Sequence, residues 1–251
     1  MQMEKQTEGF PLVLVHAFPM GPGMWRTQVD AVQGRRVLTP PLPGFDGHAR
    51  LTEPTMDGYA RDLLATLDRE GVVRAIFCGL SLGGYVLFGV LRQAPERVAG
   101  LVLADTRTTI DTPERLAGRA RSIDTVRTKG PSAIADEMIP GLLSPATHAT
   151  QPAVGAEIRR LIESQSADAI ADGQQALMTR PDSAAALTRV QVPTLIIVGS
   201  DDGITPVSDA ESMHRAIPGS RMVVIRDSGH MSNMEAPGKF NEALTLFLEG
   251  L

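Results

Sequence analysis

Three residue types in this chain fit one kind of chemistry. Ser81 stands in Cys78-Gly79-Leu80-Ser81-Leu82-Gly83-Gly84, between an apolar run, Val72 to Phe77, and a helix-like run, Tyr85 to Gln93. Strand, glycine, serine, glycine, helix is the order of a nucleophile elbow. A strand that reverses into a helix within a few residues strains its middle residue, and small neighbours such as Gly79 and Gly83 must make room. The strain lifts the Ser81 hydroxyl clear, above the free N–H groups and positive dipole end of the new helix. Taken alone, Gly-x-Ser-x-Gly also fits a glycine-rich turn with an incidental serine.

A neutral serine needs a base within hydrogen-bond reach, and the base needs an acceptor that fixes its tautomer. His230, in Asp227-Ser228-Gly229-His230, and Asp202, in Gly199-Ser200-Asp201-Asp202, supply both types. Each follows an apolar run, at the strand ends where open α/β sheets form sites. Ser81 is therefore the expected nucleophile, His230 the general base and then acid, and Asp202 the orienting carboxylate. Asp201 is a rival to Asp202. Asp105 is a further candidate acid, although its expected part is to cap the junction that follows it. His16 is expected to hold its loop by hydrogen bonding. His48, His148 and His214 lack metal-ligand spacing and are expected on the solvated surface. Asp227 reads as a turn former. No metal or other cofactor is expected, and Gly79–Gly84 lacks the Lys-Ser/Thr of a Walker loop.

The elements that must position these residues follow from apolar runs and breakers. Strands are expected at Pro11–Val15, Arg36–Thr39, Arg74–Cys78, Val98–Leu103, Thr194–Val198 and Arg221–Ile225. Helices are expected at Asp57–Glu70, capped by Thr55, then at Tyr85–Gln93, Ser208–Ile217 and Pro237–Leu248. From Thr106 to about Asp182 the continuous apolar runs vanish. Helices are expected there from Pro113 towards Lys129, and at Ser132–Met138, Ala153–Gln165 and Ala167–Thr179. Alternating strands and helices around this block argue for a mainly parallel sheet, of the α/β class, with an all-helical insertion.

The 251 residues, 43% hydrophobic and 21% charged, suit one globular domain with a modest insertion. A net charge of −5 and no clustered Lys/Arg stripe argue against a nucleic-acid surface. The single cysteine, Cys78, reads as a buried structural thiol. The first residues, Met1 to Gly9, are polar, and no apolar run approaches the roughly 20 residues that span a bilayer. A soluble, cytoplasmic protein is the expectation.

With His16-Ala17-Phe18-Pro19, the elbow, Gly199-Ser200-Asp201-Asp202 before Thr205-Pro206, and Ser228-Gly229-His230, the chain resembles proteins of the α/β-hydrolase fold. The resemblance implies a core of residues 1–105 and 183–251 with a helical cap at 106–182. It favours Asp202 over Asp201, which stands out of register with Gly199 and Pro206. It also implies an oxyanion hole made by the backbone N–H groups of Phe18 and Leu82. Two features depart from the pattern: too few residues precede the first strand for an opening hairpin, and the usual His-Gly is His16-Ala17. The serine excludes the aspartate-nucleophile dehalogenases and epoxide hydrolases, whose cap tyrosines are also missing, since Tyr59 and Tyr85 lie outside the block.

Acyl transfer to water remains. A small-molecule ester or lactone is the expected substrate, in a pocket walled by Met20, Met24, Trp25 and Met231, with Phe18, Leu82 and Met234 nearby. About half of these are expected to be ordinary core residues. Arg107 is expected on the surface, the alternative being a carboxylate anchor of the kind enol-lactonases need. A small-ester carboxylesterase leads. An enol-lactonase or carbon–carbon bond hydrolase, a haloperoxidase-like perhydrolase, and a ligand receptor that keeps the three residues follow.

Overall fold

Runs of Val, Ile and Leu too short for a helix and apolar throughout make strands buried on both faces. In the computed structural model, which describes residues 9–251, they form β1 (Leu12–Val15), β2 (Val37–Leu38), β3 (Ala75–Leu80), β4 (Val98–Ala104), β5 (Thr194–Gly199) and β6 (Arg221–Ile225). The reading of the chain's first polar residues, 1–8, lies outside the described residues. One six-stranded sheet results, in the order β2-β1-β3-β4-β5-β6, with every pair parallel. The inner strands β1, β3, β4 and β5 are buried along their whole length, whereas β6 is partly exposed at its edge. Full burial of one such Val, Leu or Ile contributes about 1.5–3 kcal/mol.

Helices cover the sheet. They are α1 (Arg26–Ala31), α2 (Met56–Arg69), α3 (Leu82–Gln93), α10 (Val207–Ala216) and α12 (Pro237–Leu248), with α2 packed on α3 and α1 on α12. Thr55 caps α2 as expected, its hydroxyl accepting from the Gly58 N–H at 3.0 Å. Between β4 and β5 lie α4 (Pro113–Lys129), α5 (Pro131–Leu142), α6 (Pro145–Thr150), α7 (Pro152–Glu163), α8 (Ala167–Met178) and α9 (Ala184–Leu187). Proline opens α4 to α7, where its missing N–H costs nothing. The block reaches the rest of the molecule at several points. The Phe18 ring lies against α8 at Gly173, and Arg50 binds Asp168 at 2.6 Å and Asp172 at 2.7 Å.

Two differences from the expected elements have physical causes. Helix α5 was expected to stop at Met138, but it runs through Pro140 to Leu142. A proline so near the C-terminus breaks one interior bond, and the remaining turn still closes. The short helices α1, α6, α9 and α11 (Ser232–Glu235) span four to six residues, too few for a helical period to show.

Candidate active site

The elbow forms because β3 runs to Leu80 and α3 starts at Leu82, leaving Ser81 alone between them. Ser81 has φ 53° and ψ −109°, a sparsely populated conformation for a non-glycine residue. Its N–H donates to the Ala104 carbonyl at 3.0 Å, and its carbonyl accepts from the Thr106 hydroxyl at 2.9 Å, so the end of β4 and the loop after it pin both sides. Room for the crossing comes from Gly83. A Cβ there would lie 2.1 Å from the Val15 carbonyl oxygen, at the end of β1.

The structure brings the three expected residues together. Ser81 Oγ lies 2.9 Å from His230 Nε2, and His230 Nδ1 lies 2.8 Å from Asp202 Oδ2. The Asp202 contact assigns the ring proton to Nδ1, which leaves Nε2 free to accept from the Ser81 hydroxyl. His230 and Asp202 are buried, at 3% and 4% exposure, while Ser81 is half-buried. Asp202 Oδ1 also accepts from the Ile204 and Thr205 N–H groups at 2.8 and 2.9 Å, and Oδ2 accepts from the Thr205 hydroxyl at 2.6 Å. Burial pushes the Asp202 carboxyl up, but His230 and Thr205 outweigh it and hold the group below the ordinary carboxylate range. The rival Asp201 is exposed and bonds to the Ser200 hydroxyl.

Asp105 does not cap the junction to the helical block. Its Oδ1 accepts from the Gly199 N–H at 2.9 Å and its Oδ2 accepts from the Ser232 hydroxyl, which joins β4 to β5 and to α11. The carboxyl is 1% exposed, and burial, then the nearby Asp202 charge, push its pKa well above the ordinary value. The sequence placed it at the right strand end, yet nothing in the pattern revealed Ser232 as its partner.

His16 holds its loop as expected. Its Nδ1–H donates to the Ala17 carbonyl at 3.0 Å, and its Nε2 accepts from the Leu42 N–H at 3.1 Å. Complete burial drives its pKa down to about 4, against smaller upward effects of Ala17 and Asp46. Between pH 6.5 and 4 the unfolded chain therefore takes up a proton that the folded chain refuses, so stability falls as the pH falls through that window. Urea titrations should show wild type losing about 2 kcal/mol more than His16→Gln between pH 7 and pH 5.

Several expectations about the surroundings need correction. Arg107 is buried, at 8% exposure, because its Nη2 donates to Asp111 Oδ1 at 2.9 Å. Arg119 and Arg180 share the same carboxylate, each reaching Oδ2 at 2.6 Å, and Arg180 also stacks 4.6 Å over the Tyr85 ring. Three arginines, Arg107, Arg119 and Arg180, thus converge on the single carboxylate of Asp111, a cluster that no local pattern in the sequence announces. Met20, Trp25 and Met231 expose nothing, and Trp25 packs against Phe240 with ring centroids 6.0 Å apart, so these three belong to the core. Met24 alone of the expected wall lines a cleft, of about 250 Å³, together with Met234, Ala153 and Val154. Its sulfur accepts from the Ala17 N–H at 3.1 Å. His48 is half-buried and pairs with Asp62 at 2.8 Å. Among the described residues, no cluster of His, Cys, Asp or Glu is arranged to hold a metal ion, and no helix is long and apolar enough to cross a membrane.

The family model described as "Alpha/beta hydrolase family" matches residues 12–243. The chain belongs to the alpha/beta hydrolase family. Among the relatives of this hydrolase is the pimeloyl-[acyl-carrier protein] methyl ester esterase of Aromatoleum aromaticum, 29% identical over 90% of this chain and 93% of that protein. A thermophilic esterase from Thermogutta terrifontis, solved with malate bound, superposes with a TM-score of 0.93 at 38% identity, covering 96% of this chain and 90% of that one. The enol-lactonase of Burkholderia xenovorans LB400 superposes with a TM-score of 0.88 at 26% identity, covering 97% and 93%. All three names describe cleavage of an ester or lactone.

Proposed function

We propose that this hydrolase is a serine carboxylesterase for small esters, working through Ser81, His230 and Asp202 and an acyl-enzyme. The observation that carries the reading is the continuous relay from Ser81 Oγ through His230 to Asp202, with 2.9 and 2.8 Å contacts, on a serine held at positive φ. His230 Nε2 takes the hydroxyl proton as Ser81 Oγ attacks the ester carbonyl. The Phe18 N–H has no acceptor among the described residues, and the Leu82 N–H belongs to the orphan first turn of α3. These two donors receive the oxyanion, a contribution of order 10²–10³ in rate for each donor. The imidazolium then protonates the leaving alcohol. Water, deprotonated by the same nitrogen, attacks the acyl carbon and releases the acid and Ser81.

In this reading residues 106–182 are a cap over the site, with α8 against Phe18 supporting that placement. The lactone reading uses the same steps and differs only in that the leaving alcohol stays attached. The enol-lactonase relatives favour including it.

The test combines trapping with turnover. A fluorophosphonate should add its mass to the tryptic peptide that contains Ser81, and prior labelling should abolish hydrolysis of p-nitrophenyl acetate to octanoate. Label at another residue, with ester turnover intact, would sink the proposal. Enol-lactone turnover well above that of every open ester would move the lactone reading to the front.

A further inference from the structure

The turn that carries His230 does not stand by itself. Glu235, at the end of the one-turn helix α11, is 3% exposed, an expensive place for a carboxylate unless its lone pairs are met. Both oxygens are met, from opposite directions. Oε1 accepts from the Gly229 N–H at 2.9 Å and the Met231 N–H at 3.2 Å, the two amides that flank His230. Oε2 accepts from the Ser144 N–H at 2.8 Å and the Thr147 hydroxyl at 2.7 Å, both at the start of α6 in the helical block.

More bonds join the same two pieces. The His230 N–H donates to the carbonyl of Leu142, the last residue of α5, at 2.9 Å. The Ser144 hydroxyl donates to the Asp227 carbonyl at 3.0 Å, and Gln151 Nε2 donates to the Glu235 carbonyl at 3.3 Å. The contact is backbone on backbone: a Cβ on Gly229 would lie 2.7 Å from the Ser144 nitrogen and 2.8 Å from the Leu143 carbonyl carbon.

We propose that Glu235 is a positioning residue that fastens the His230 turn to the cap, so that His230 stays aligned with Ser81 only while the cap is seated. The inference rests on the Ser81, His230 and Asp202 roles given above. Lifting the α5–α6 corner strips Oε2 of both donors and the His230 N–H of its acceptor. A carboxylate with one oxygen unmet no longer fixes the amides on the other. The imidazole then drifts, and a displacement of about 1 Å costs roughly 10²-fold in rate. Cap opening and loss of the base are one event.

The test uses the full chain with p-nitrophenyl acetate. Glu235→Gln preserves size but turns one arm's acceptor into an NH₂ that faces N–H or O–H donors. Assayed well below its melting temperature, it should show kcat lowered about 10- to 100-fold with KM within about threefold of wild type. The loss should persist on the alkaline plateau of the pH profile and on cooling. Thr147→Val removes one donor on the cap side only. It should lower kcat by a smaller factor and, in hydrogen exchange, accelerate the Ser144, Gly229 and Met231 amides together.

Glu235→Gln with kcat within twofold of wild type, or with a loss that vanishes on cooling, would overturn the proposal. So would Thr147→Val that frees Ser144 while leaving Gly229, Met231 and kcat unchanged. If Glu235→Gln does not fold, Thr147→Val decides. Wild type without Ser81-dependent turnover would instead sink the esterase reading, and the exchange measurements would still test the tether.

Discussion

Ser81→Ala should fold like the parent and hydrolyse p-nitrophenyl acetate roughly 10⁵- to 10⁶-fold more slowly. The substitution removes one oxygen and nothing that holds the fold. The bonds pinning the elbow run through the Ser81 N–H and carbonyl, and both survive in alanine. The backbone strain at φ 53° also remains, because alanine tolerates that conformation no better than serine. What disappears is the hydroxyl 2.9 Å from His230 Nε2, the nucleophile of the proposed mechanism. On that mechanism the backbone donors of Phe18 and Leu82 stay, so some catalysis over water should persist. Melting temperature and kcat, measured on the same preparation, separate the two effects. A variant that keeps a tenth of wild-type turnover would remove Ser81 from the mechanism.

Asp202→Asn and Asp105→Asn make the second expected result, and the contrast between them matters more than either alone. Asp202 faces the ring N–H of His230, and asparagine offers an NH₂ in one of the two positions. The ring answers by moving its proton to Nε2, where it can no longer accept from Ser81. A loss on the order of 10⁴ in kcat follows. At Asp105 the expectation reverses. Burial and the Asp202 charge favour the uncharged carboxyl there, and asparagine is its neutral mimic. It accepts from the Gly199 N–H through Oδ1 and donates to the Ser232 hydroxyl through Nδ2. Asparagine is also at home at the φ of 42° that this position adopts. Asp105→Asn should therefore keep activity within about threefold of wild type. Equal losses in the two variants would make Asp105 a partner of His230 and reopen the assignment of the acid.

How legible all this was in the sequence depended on how local the cause was. The inner strands were readable because a strand covered on both faces must be apolar at every position, as in Leu12–Val15 and Thr194–Gly199. The elbow was readable because a strained serine needs small neighbours at fixed offsets, so the constraint leaves its mark within five residues. Contacts set by the tertiary fold were not. Arg107 reads as surface until Asp111, Arg119 and Arg180 are seen around it. Glu235 follows His230 by five positions and sits among apolar and small residues, which was a signal for a buried charge. Its partners Ser144 and Thr147 lie about 90 residues earlier, where no periodicity points to them. Which members of the expected wall are core, Met20, Trp25 and Met231, was hidden for a related reason: nearness to the motif loops does not say on which side of a loop a side chain packs.

The sheet of parallel neighbours has a consequence for how the chain acquires its structure. Among the described residues no strand pairs with another across a tight turn, and joining Leu101 to Thr194 closes a loop of roughly 90 residues. Such pairings come late, because the entropy of closure is spent before the ladder returns it. Local helices, α4 with α5 among them, have no such wait. Refolding should pass through a helical, sheet-poor intermediate whose unpaired β4 and β5 edges are exposed. In that interval, dilution and low temperature should govern the yield of native protein.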